Sequence, residues 1–165
     1  MKKLILSLVA VFALNVAVQA QDYDFTVGVR VGYGAAFTTE ISAQAFTNDI
    51  NRLELDLGLR FPDPYTRTVD GETIKDKYPM GPILTPSYQW HWFLAGGFGF
   101  YLGPAVQLSL PYWHHFCMGA GGQVGFDFQF DAPFQFAVDF RPIYNFFGYY
   151  KGFDPNVGIS LRYAF

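Results

Sequence analysis

The last ten residues of the chain alternate between apolar side chains and small or polar ones. In a β-strand successive side chains point to opposite faces, so this spacing predicts a strand with one apolar face. That face holds five residues: Val157, Ile159, Leu161, Tyr163 and Phe165. The same period of two recurs along most of the preceding chain, which makes an all-β fold the primary prediction.

The apolar residues are not grouped in a way that suits membrane-spanning helices. Aromatic residues make up 20% of the sequence and charged residues 15%, yet no apolar run after Ala20 reaches the length of about 20 residues that a spanning helix needs. In hydrocarbon every backbone N–H and C=O must be bonded within the protein, which leaves a closed barrel. Eight alternating stretches of roughly 9–11 residues match tilted spanning strands. We therefore predict a closed, eight-stranded, antiparallel, transmembrane up-and-down β-barrel.

The two faces of the predicted strands differ in the size of their side chains. The apolar face is rich in Phe, Leu, Trp and Tyr, whereas the polar face combines Gly, Ala and Ser with charged residues. Eight strands enclose only enough space for packed side chains, so we expect a polar packed interior and a bulky surface against lipid. A soluble barrel that hides its apolar face around a ligand is the alternative that alternation alone leaves open.

The amino-terminal end of the chain has the features of a secretory signal. Two lysines precede an apolar run from Leu4 to Leu14, and the small residue Ala20 comes before a polar segment. Cleavage after Ala20 is predicted from this order of charged, apolar and small residues. The expected organisation is a cleaved signal peptide over residues 1–20 and one barrel domain over residues 21–165.

The connections of the predicted barrel are short at one end and long at the other. An even number of strands places both chain ends on one side, which in outer-membrane barrels is the periplasmic side with short turns. The segment from about 62 to 84 is rich in Pro, Gly and charged residues, so we predict one long extracellular loop there. Proline lacks the N–H that a ladder needs, and bulges are therefore expected at Gly103-Pro104 and Arg141-Pro142.

Six short motifs carry a resemblance to a known family. They are Leu53-Glu54-Leu55, Tyr88-Gln89-Trp90-His91, Tyr101-Leu102-Gly103-Pro104, Gly125-Phe126-Asp127, Val138-Asp139-Phe140-Arg141-Pro142 and Ile159-Ser160-Leu161-Arg162-Tyr163-Ala164-Phe165. In their order the chain resembles, from about Phe25 to Phe165, the small outer-membrane β-barrel proteins of Bacteroidetes, most of which have no assigned activity. The resemblance implies a location in the bacterial outer membrane. The aromatic ending, with Tyr163 and Phe165, resembles the signal that the outer-membrane assembly machinery recognises.

Charged residues at inward positions form one polar constellation. Leaving a buried charge unpaired costs several kcal/mol, so arginines and carboxylates in near balance are expected to pair as a hydrogen-bonded plug. The predicted network comprises four arginines, five carboxylates and one histidine: Arg30, Glu40, Glu54, Asp56, Arg60, His91, Asp127, Asp139, Arg141 and Arg162. A narrow ion or proton path through these groups is the alternative, which the width of an eight-stranded barrel disfavours.

Residue types that support catalysis are few. Some eight-stranded outer-membrane barrels modify the acyl chains of lipid A with a histidine, and this chain has three, His91, His114 and His115. His91 falls at an inward position, whereas a catalytic base would have to reach the lipid face or the rim. His114 and His115 lack a third ligand at a spacing typical of zinc. We predict no enzyme, no metal site and no cofactor, with a lipid-modifying enzyme as the alternative.

The remaining expectations concern partners and role. The net charge of −3 at pH 7 argues against nucleic acid, which calls for a clustered basic face. We expect a monomer in outer-membrane lipid, inserted by the assembly machinery, with a structural role or a role in binding an extracellular ligand or envelope protein at its loops. Five aromatic residues are predicted at the membrane interfaces: Trp90, Trp92, Trp113, Tyr149 and Tyr150.

Overall fold

The strands of the protein are known from a computed structural model that describes residues 24–61, 64–69, 72–77 and 80–165. The predicted signal peptide, residues 1–20, lies outside these ranges. The described residues form ten strands: β1 (Phe25–Tyr33), β2 (Phe37–Phe46), β3 (Asn51–Arg60), β4 (Pro64–Val69), β5 (Glu72–Lys77), β6 (Gly81–Ala95), β7 (Phe98–Ser109), β8 (Cys117–Gln129), β9 (Phe134–Gly148) and β10 (Gly152–Ala164). Among the described residues no helix is long and apolar enough to cross a membrane.

Eight of these strands close into an antiparallel barrel in the order β1-β10-β9-β8-β7-β6-β3-β2. The first and last strands meet, and their register runs from Thr26↔Ala164 to Tyr33↔Val157. Closure leaves no barrel strand with an unpaired edge, which satisfies the backbone groups on both sides of each strand. The prediction of a closed, eight-stranded, antiparallel barrel is confirmed.

The two faces of the barrel wall follow the period of two in the sequence. Along β10, burial alternates at every residue from Asp154 to Ala164. The inward residues include small ones, and almost every buried charged or polar side chain comes from this parity. Outward residues are large and apolar, and even Val29 and Ile41 on the short strands β1 and β2 are 59% and 62% exposed. The polar packed interior predicted from side-chain size is therefore present.

The two ends of the barrel differ in their connections. We call the end that carries the start of β1 and the finish of β10 the terminal end; its turns, at residues 47–50, 96–97 and 130–133, have two to four residues. The opposite, loop end carries the connections at residues 34–36, 61–80, 110–116 and 149–151. The short turns and the longest connection lie at opposite ends, as the topology argument requires.

The longest connection contains a feature that the sequence analysis missed. Residues 62–84 were expected to be one irregular loop, but β4 and β5 pair within it as a separate two-stranded sheet, from Pro64↔Lys77 to Val69↔Glu72. The barrel strand β6 also begins at Gly81, inside the expected loop. Strands of six residues separated by Gly and charged residues give too short an alternation to be distinguished from a loop.

The prolines of the barrel do not create the predicted bulges. Pro104 pairs with Gly122, and Pro142 pairs with Pro155, at an unchanged register. On their other sides the ladders skip, from Ser87↔Ala105 to Trp90↔Leu102 and from Gly121↔Ile143 to Val124↔Phe140, again without a shift. A local loss of pairing therefore accommodates the missing N–H. The register shifts lie elsewhere, between Phe93 and Ala95 and between Met118 and Gly119.

Candidate functional site

All ten residues of the predicted network lie inside the barrel. None of them is more than 5% exposed. Each lies on a barrel strand at the inward parity, because the period of two fixes the face of a residue once its strand is correctly identified. They do not form one continuous cluster, however, but three groups at successive levels of the interior.

The middle group is centred on two arginines that share carboxylates. Arg30 makes a two-point contact with Asp139, Nε to Oδ2 at 3.1 Å and Nη2 to Oδ1 at 2.7 Å. Arg30 Nη1 also donates to Glu40 at 3.1 Å. Arg141 Nη1 donates to the other oxygen of Glu40 at 3.3 Å. One carboxylate thus joins two guanidinium groups, the geometry in which buried ion pairs satisfy several hydrogen bonds at once.

Glu54 is the point at which most strands of the barrel are connected. Its carboxylate accepts hydrogen bonds from side chains on five other strands, so that with its own strand β3 it links six of the eight. The donors are Gln44 on β2, Gln89 on β6, Gln123 on β8, Arg141 on β9 and Arg162 on β10. Asp56, two residues along β3, accepts a second bond from Arg141.

The group toward the terminal end contains an arginine that the sequence analysis did not identify. Arg52 Nη1 donates to Asp127 at 2.7 Å, and its Nε donates to Gln89 at 2.6 Å. Its guanidinium lies 4.7 Å from the ring centroid of Tyr101, within the range of a cation–π contact. His91 Nε2 lies 3.0 Å from the other oxygen of Asp127. The predicted bond between His91 and a carboxylate is thus made to Asp127 rather than to Glu54.

The group toward the loop end also contains an unpredicted residue. Arg60 Nη2 donates to Asp154 at 2.7 Å and to Gln107 at 2.8 Å, so this side chain reaches from β3 to both β10 and β7. Tyr150, predicted at a membrane interface, is instead 9% exposed and lies with its ring centroid 5.4 Å from the Arg60 guanidinium. With Asp154 included, each of the six buried carboxylates in the described barrel contacts at least one arginine.

Inward glycines make the space that these large side chains occupy. A Cβ built on Gly158 would meet the guanidinium of Arg30, and one built on Gly125 would lie 2.6 Å from the ring of Tyr101. At Gly99 a Cβ would meet both His91 and Asp127. Glycine is therefore required at these positions by close packing, since its backbone there is not in the left-handed region.

Arg52 and Asp154 were missed because both lie beside turn-forming residues. Arg52 follows the segment Thr47-Asn48-Asp49, and Asp154 precedes Pro155, so both seemed to lie outside their strands. The alternation could have identified them, since Arg52 shares the parity of Glu54, and Asp154 shares that of Asn156. Strand ends are the part of a pattern that flanking turn residues obscure most.

A cluster of rings lies at the loop end, where β7 turns into β8. The 3-10 turn Pro111–Trp113 places two consecutive non-glycine residues in the left-handed region, Tyr112 at φ 53° and Trp113 at φ 67°. His114 and His115 have ring centroids 4.2 Å apart, and His115 stacks on Tyr149 at 4.7 Å. Within the described residues no group of three or more His, Cys, Asp or Glu side chains is placed to hold a metal ion.

The two residues of the predicted assembly signal lie on the outer surface at the terminal end. Tyr163 is 43% exposed and Phe165 is 68% exposed, and their rings lie 4.9 Å apart. Phe165 donates its N–H to the carbonyl of Phe25 at 2.9 Å, so the last residue is bonded to the first barrel strand.

The comparisons with known proteins give structural neighbours alone. No protein-family model and no curated protein matches the chain. The fold is similar to the N-terminal β-barrel domain of Pseudomonas aeruginosa OprF, at 13% identity and a TM-score of 0.61, over 87% of this chain and 100% of that one. It is also similar to outer membrane protein H (OprH) from P. aeruginosa, at 13% identity and a TM-score of 0.60, over 86% and 99% of the two chains. Neisserial surface protein A (NspA) matches at 13% identity and a TM-score of 0.57, over 86% and 94%. The neighbours are small barrels of eight strands, and at this identity the likeness shows the fold.

Proposed function

We propose that the protein is a small bacterial outer-membrane barrel whose closed body holds the loop end at the cell surface, where binding takes place. The observation that carries this proposal is the surface of the wall. Every barrel strand presents large apolar side chains that are more than a third exposed, from Phe25 on β1 to Tyr163 on β10. In water so large a continuous apolar surface would drive association, whereas in a bilayer it is the expected lipid-facing belt.

The proposed location is supported by the fold of the neighbours and tested by fractionation of cells that produce the protein. We expect it in the outer-membrane fraction, resistant to extraction with salt or carbonate. Unboiled samples should migrate differently from boiled ones, because a closed barrel stays folded in detergent until it is heated. Recovery of a folded, detergent-free protein in the soluble fraction would contradict the proposal and restore the soluble ligand-binding barrel.

The interior supports a body without an open pore. The three groups of ion pairs follow one another along the barrel, and the middle one extends across it from Glu54 to Arg141 and Arg162. Protein reconstituted in planar bilayers should therefore give no steady conductance above that of the lipid alone. Steady conductance would replace this reading with a narrow channel lined by the same charges.

The loop role is supported by the strained turn at residues 110–116. Non-glycine residues in the left-handed region cost of order 1–3 kcal/mol each and cluster at ligand clamps, and Tyr112 and Trp113 are consecutive examples. Trp113 is 62% exposed. Of the histidines, His91 is fully buried in the interior and bonded to Asp127, which separates it from the lipid face that an acyl-modifying enzyme would use.

A comparison of loop variants tests the binding role. Tyr112→Gly with Trp113→Gly removes the left-handed strain and both rings, and Tyr144→Ala removes an exposed ring from the outer face of β9 as a matched control. Binding of the protein to whole cell-envelope extracts should fall in the first variant and stay unchanged in the second. Equal binding by both would contradict a role for this turn.

A further inference from the structure

We propose that the interior near the loop end is a binding cup for a small uncharged polar solute of about the size of glycerol, closed by a tyrosine lid. Its basis is a set of neutral polar side chains that are buried and have atoms without a partner among the described residues. They are Thr85 Oγ1, Ser87 Oγ, Ser109 Oγ and both amide atoms of Asn145. None of these residues is more than 6% exposed.

Such atoms are rare in folded proteins, because a buried polar group without a partner costs about 1–3 kcal/mol. In the middle of this same barrel the charged and amide side chains bond to one another across the interior. The contrast is local, since five unpartnered atoms lie on four side chains toward one end. A molecule that both donates and accepts hydrogen bonds would satisfy them together.

The four side chains lie on neighbouring strands and surround small residues. Thr85 and Ser87 are on β6, Ser109 is on β7 and Asn145 is on β9. Gly119 on β8 lies between them, paired with Gln107 on one side and with Asn145 on the other. The wall here is completed by Ala105 and Gly121. This section therefore has the smallest side chains of the interior, which leaves space that larger side chains fill elsewhere.

The floor and the roof of the cup are both charged and already paired. Asp56, which is bonded to Arg141, lies directly across the β3–β6 ladder from Thr85. Above, Arg60 crosses the interior to Asp154 and Gln107. Since these charges are matched within the protein, the groups that await a partner are the hydroxyls and the amide. That selects an uncharged solute over an ion, and the polar wall disfavours an apolar one.

The lid is the short connection at residues 149–151. Tyr150 turns inward over Arg60 at 5.4 Å, and the connection is flanked by two glycines in the left-handed region, Gly148 at φ 108° and Gly152 at φ 150°. A Cβ built on Gly152 would meet nothing within 4 Å, so that side of the connection has room to move. Rotation about the two glycines would lift Tyr150 and open the cup, while the ion pairs of the middle group keep the barrel closed below.

The site is tested with glycerol as the probe, by NMR titration of the full-length folded protein in detergent micelles. We expect saturable shifts of the backbone amides of Gly119, Asn145 and Gly152 and of the Asn145 side chain, with little change at the terminal end. Asn145→Leu removes two of the bonding atoms at similar volume and should weaken binding about tenfold. Ser160→Ala removes a buried hydroxyl elsewhere in the interior and should leave the titration unchanged.

Shifts that grow linearly with glycerol concentration, or that are the same in Asn145→Leu, would overturn the proposal, because they would mean that water alone occupies the space. If Asn145→Leu does not fold, Thr85→Val provides the same test at nearly constant volume. The lid is tested separately. Tyr150→Ala should accelerate the exchange of glycerol about tenfold relative to Tyr150→Phe, which keeps the ring over Arg60, and equal exchange rates in the two variants would exclude the lid.

Discussion

At the scale of single residues, the interior is stabilised by side chains that each serve several partners. Arg141 donates to Glu40, Glu54 and Asp56, and Glu54 in turn accepts from five side chains. The replacement of a buried ion pair by apolar groups can be neutral, but the removal of one member leaves the others charged and unpaired. The cost of a substitution here is therefore set by the partners that remain.

Arg141→Ala is expected to destabilise the folded barrel by about 3–5 kcal/mol, because three carboxylates lose a shared donor in the interior. The measurement is urea unfolding in lipid vesicles or micelles, followed by gel mobility. Lys151→Ala, at an exposed position in the connection between β9 and β10, is the control and should change little. An Arg141→Ala protein with the unfolding midpoint of the parent would show that the network is not what holds the interior together.

Gly158→Ala tests the packing of glycine against arginine. The added methyl group would collide with the Arg30 guanidinium, and Arg30 would have to leave Asp139 or strain the wall, at about 1–3 kcal/mol. Gly122→Ala is the matched control, because the nearest atom to its Cβ would be the Gly103 carbonyl oxygen at 3.5 Å. The same unfolding assay should separate the two variants, and equal midpoints would mean that the Arg30 side chain adapts without loss.

At the scale of elements, the sequence predicted faces better than ends. Parity alone placed Arg30, Glu54 and Arg162 inside, because a residue in a strand has only two faces to choose from. It could not say which of them pair, since Arg162 meets Glu54 only through the register of ladders between distant segments. The positions of Arg52 and Asp154 depended on where β3 and β10 begin, which turn-forming neighbours concealed.

The β4–β5 hairpin is expected to be dispensable for folding. Arg60 and Gly81 are already paired in the barrel ladder, so the chain ends that the connection joins are adjacent without it. Replacement of residues 62–79 by a short Gly-Asn linker should leave the heat-dependent gel shift intact and change the unfolding midpoint little, because a shorter loop costs less entropy to close. Loss of the folded band in vesicles would show that the hairpin takes part in forming the barrel.

At the scale of the whole molecule, closure depends on the two most distant segments of the chain. The ladder between β1 and β10 joins residues near positions 26 and 164, so the barrel is complete only when its last strand is in place. Such non-local pairing is slow to form, which gives a reason for the final strand to be recognised by an insertion machinery. The exposed Phe165 ring and its bond to Phe25 lie at that seam.

Deletion of Phe165 is expected to lower the amount of protein inserted in the outer membrane of cells severalfold. The folded protein loses one surface ring and one backbone bond, so the refolded variant should keep most of its stability in vitro. Phe116→Ala, an exposed ring at the loop end, serves as the control and should insert normally. Insertion of the truncated protein at the level of the parent would exclude the terminal aromatic residue from the assembly signal.

The positions of the three tryptophans provide a way to follow that insertion in time. Trp90 and Trp92 are exposed on the outer face near the terminal end of β6, whereas Trp113 is exposed at the loop end. Quenchers attached at different depths of a bilayer would therefore reach two populations of intrinsic fluorescence at different moments. A substitution of Trp113 alone would separate the signals and show which end of the wall crosses the hydrocarbon first.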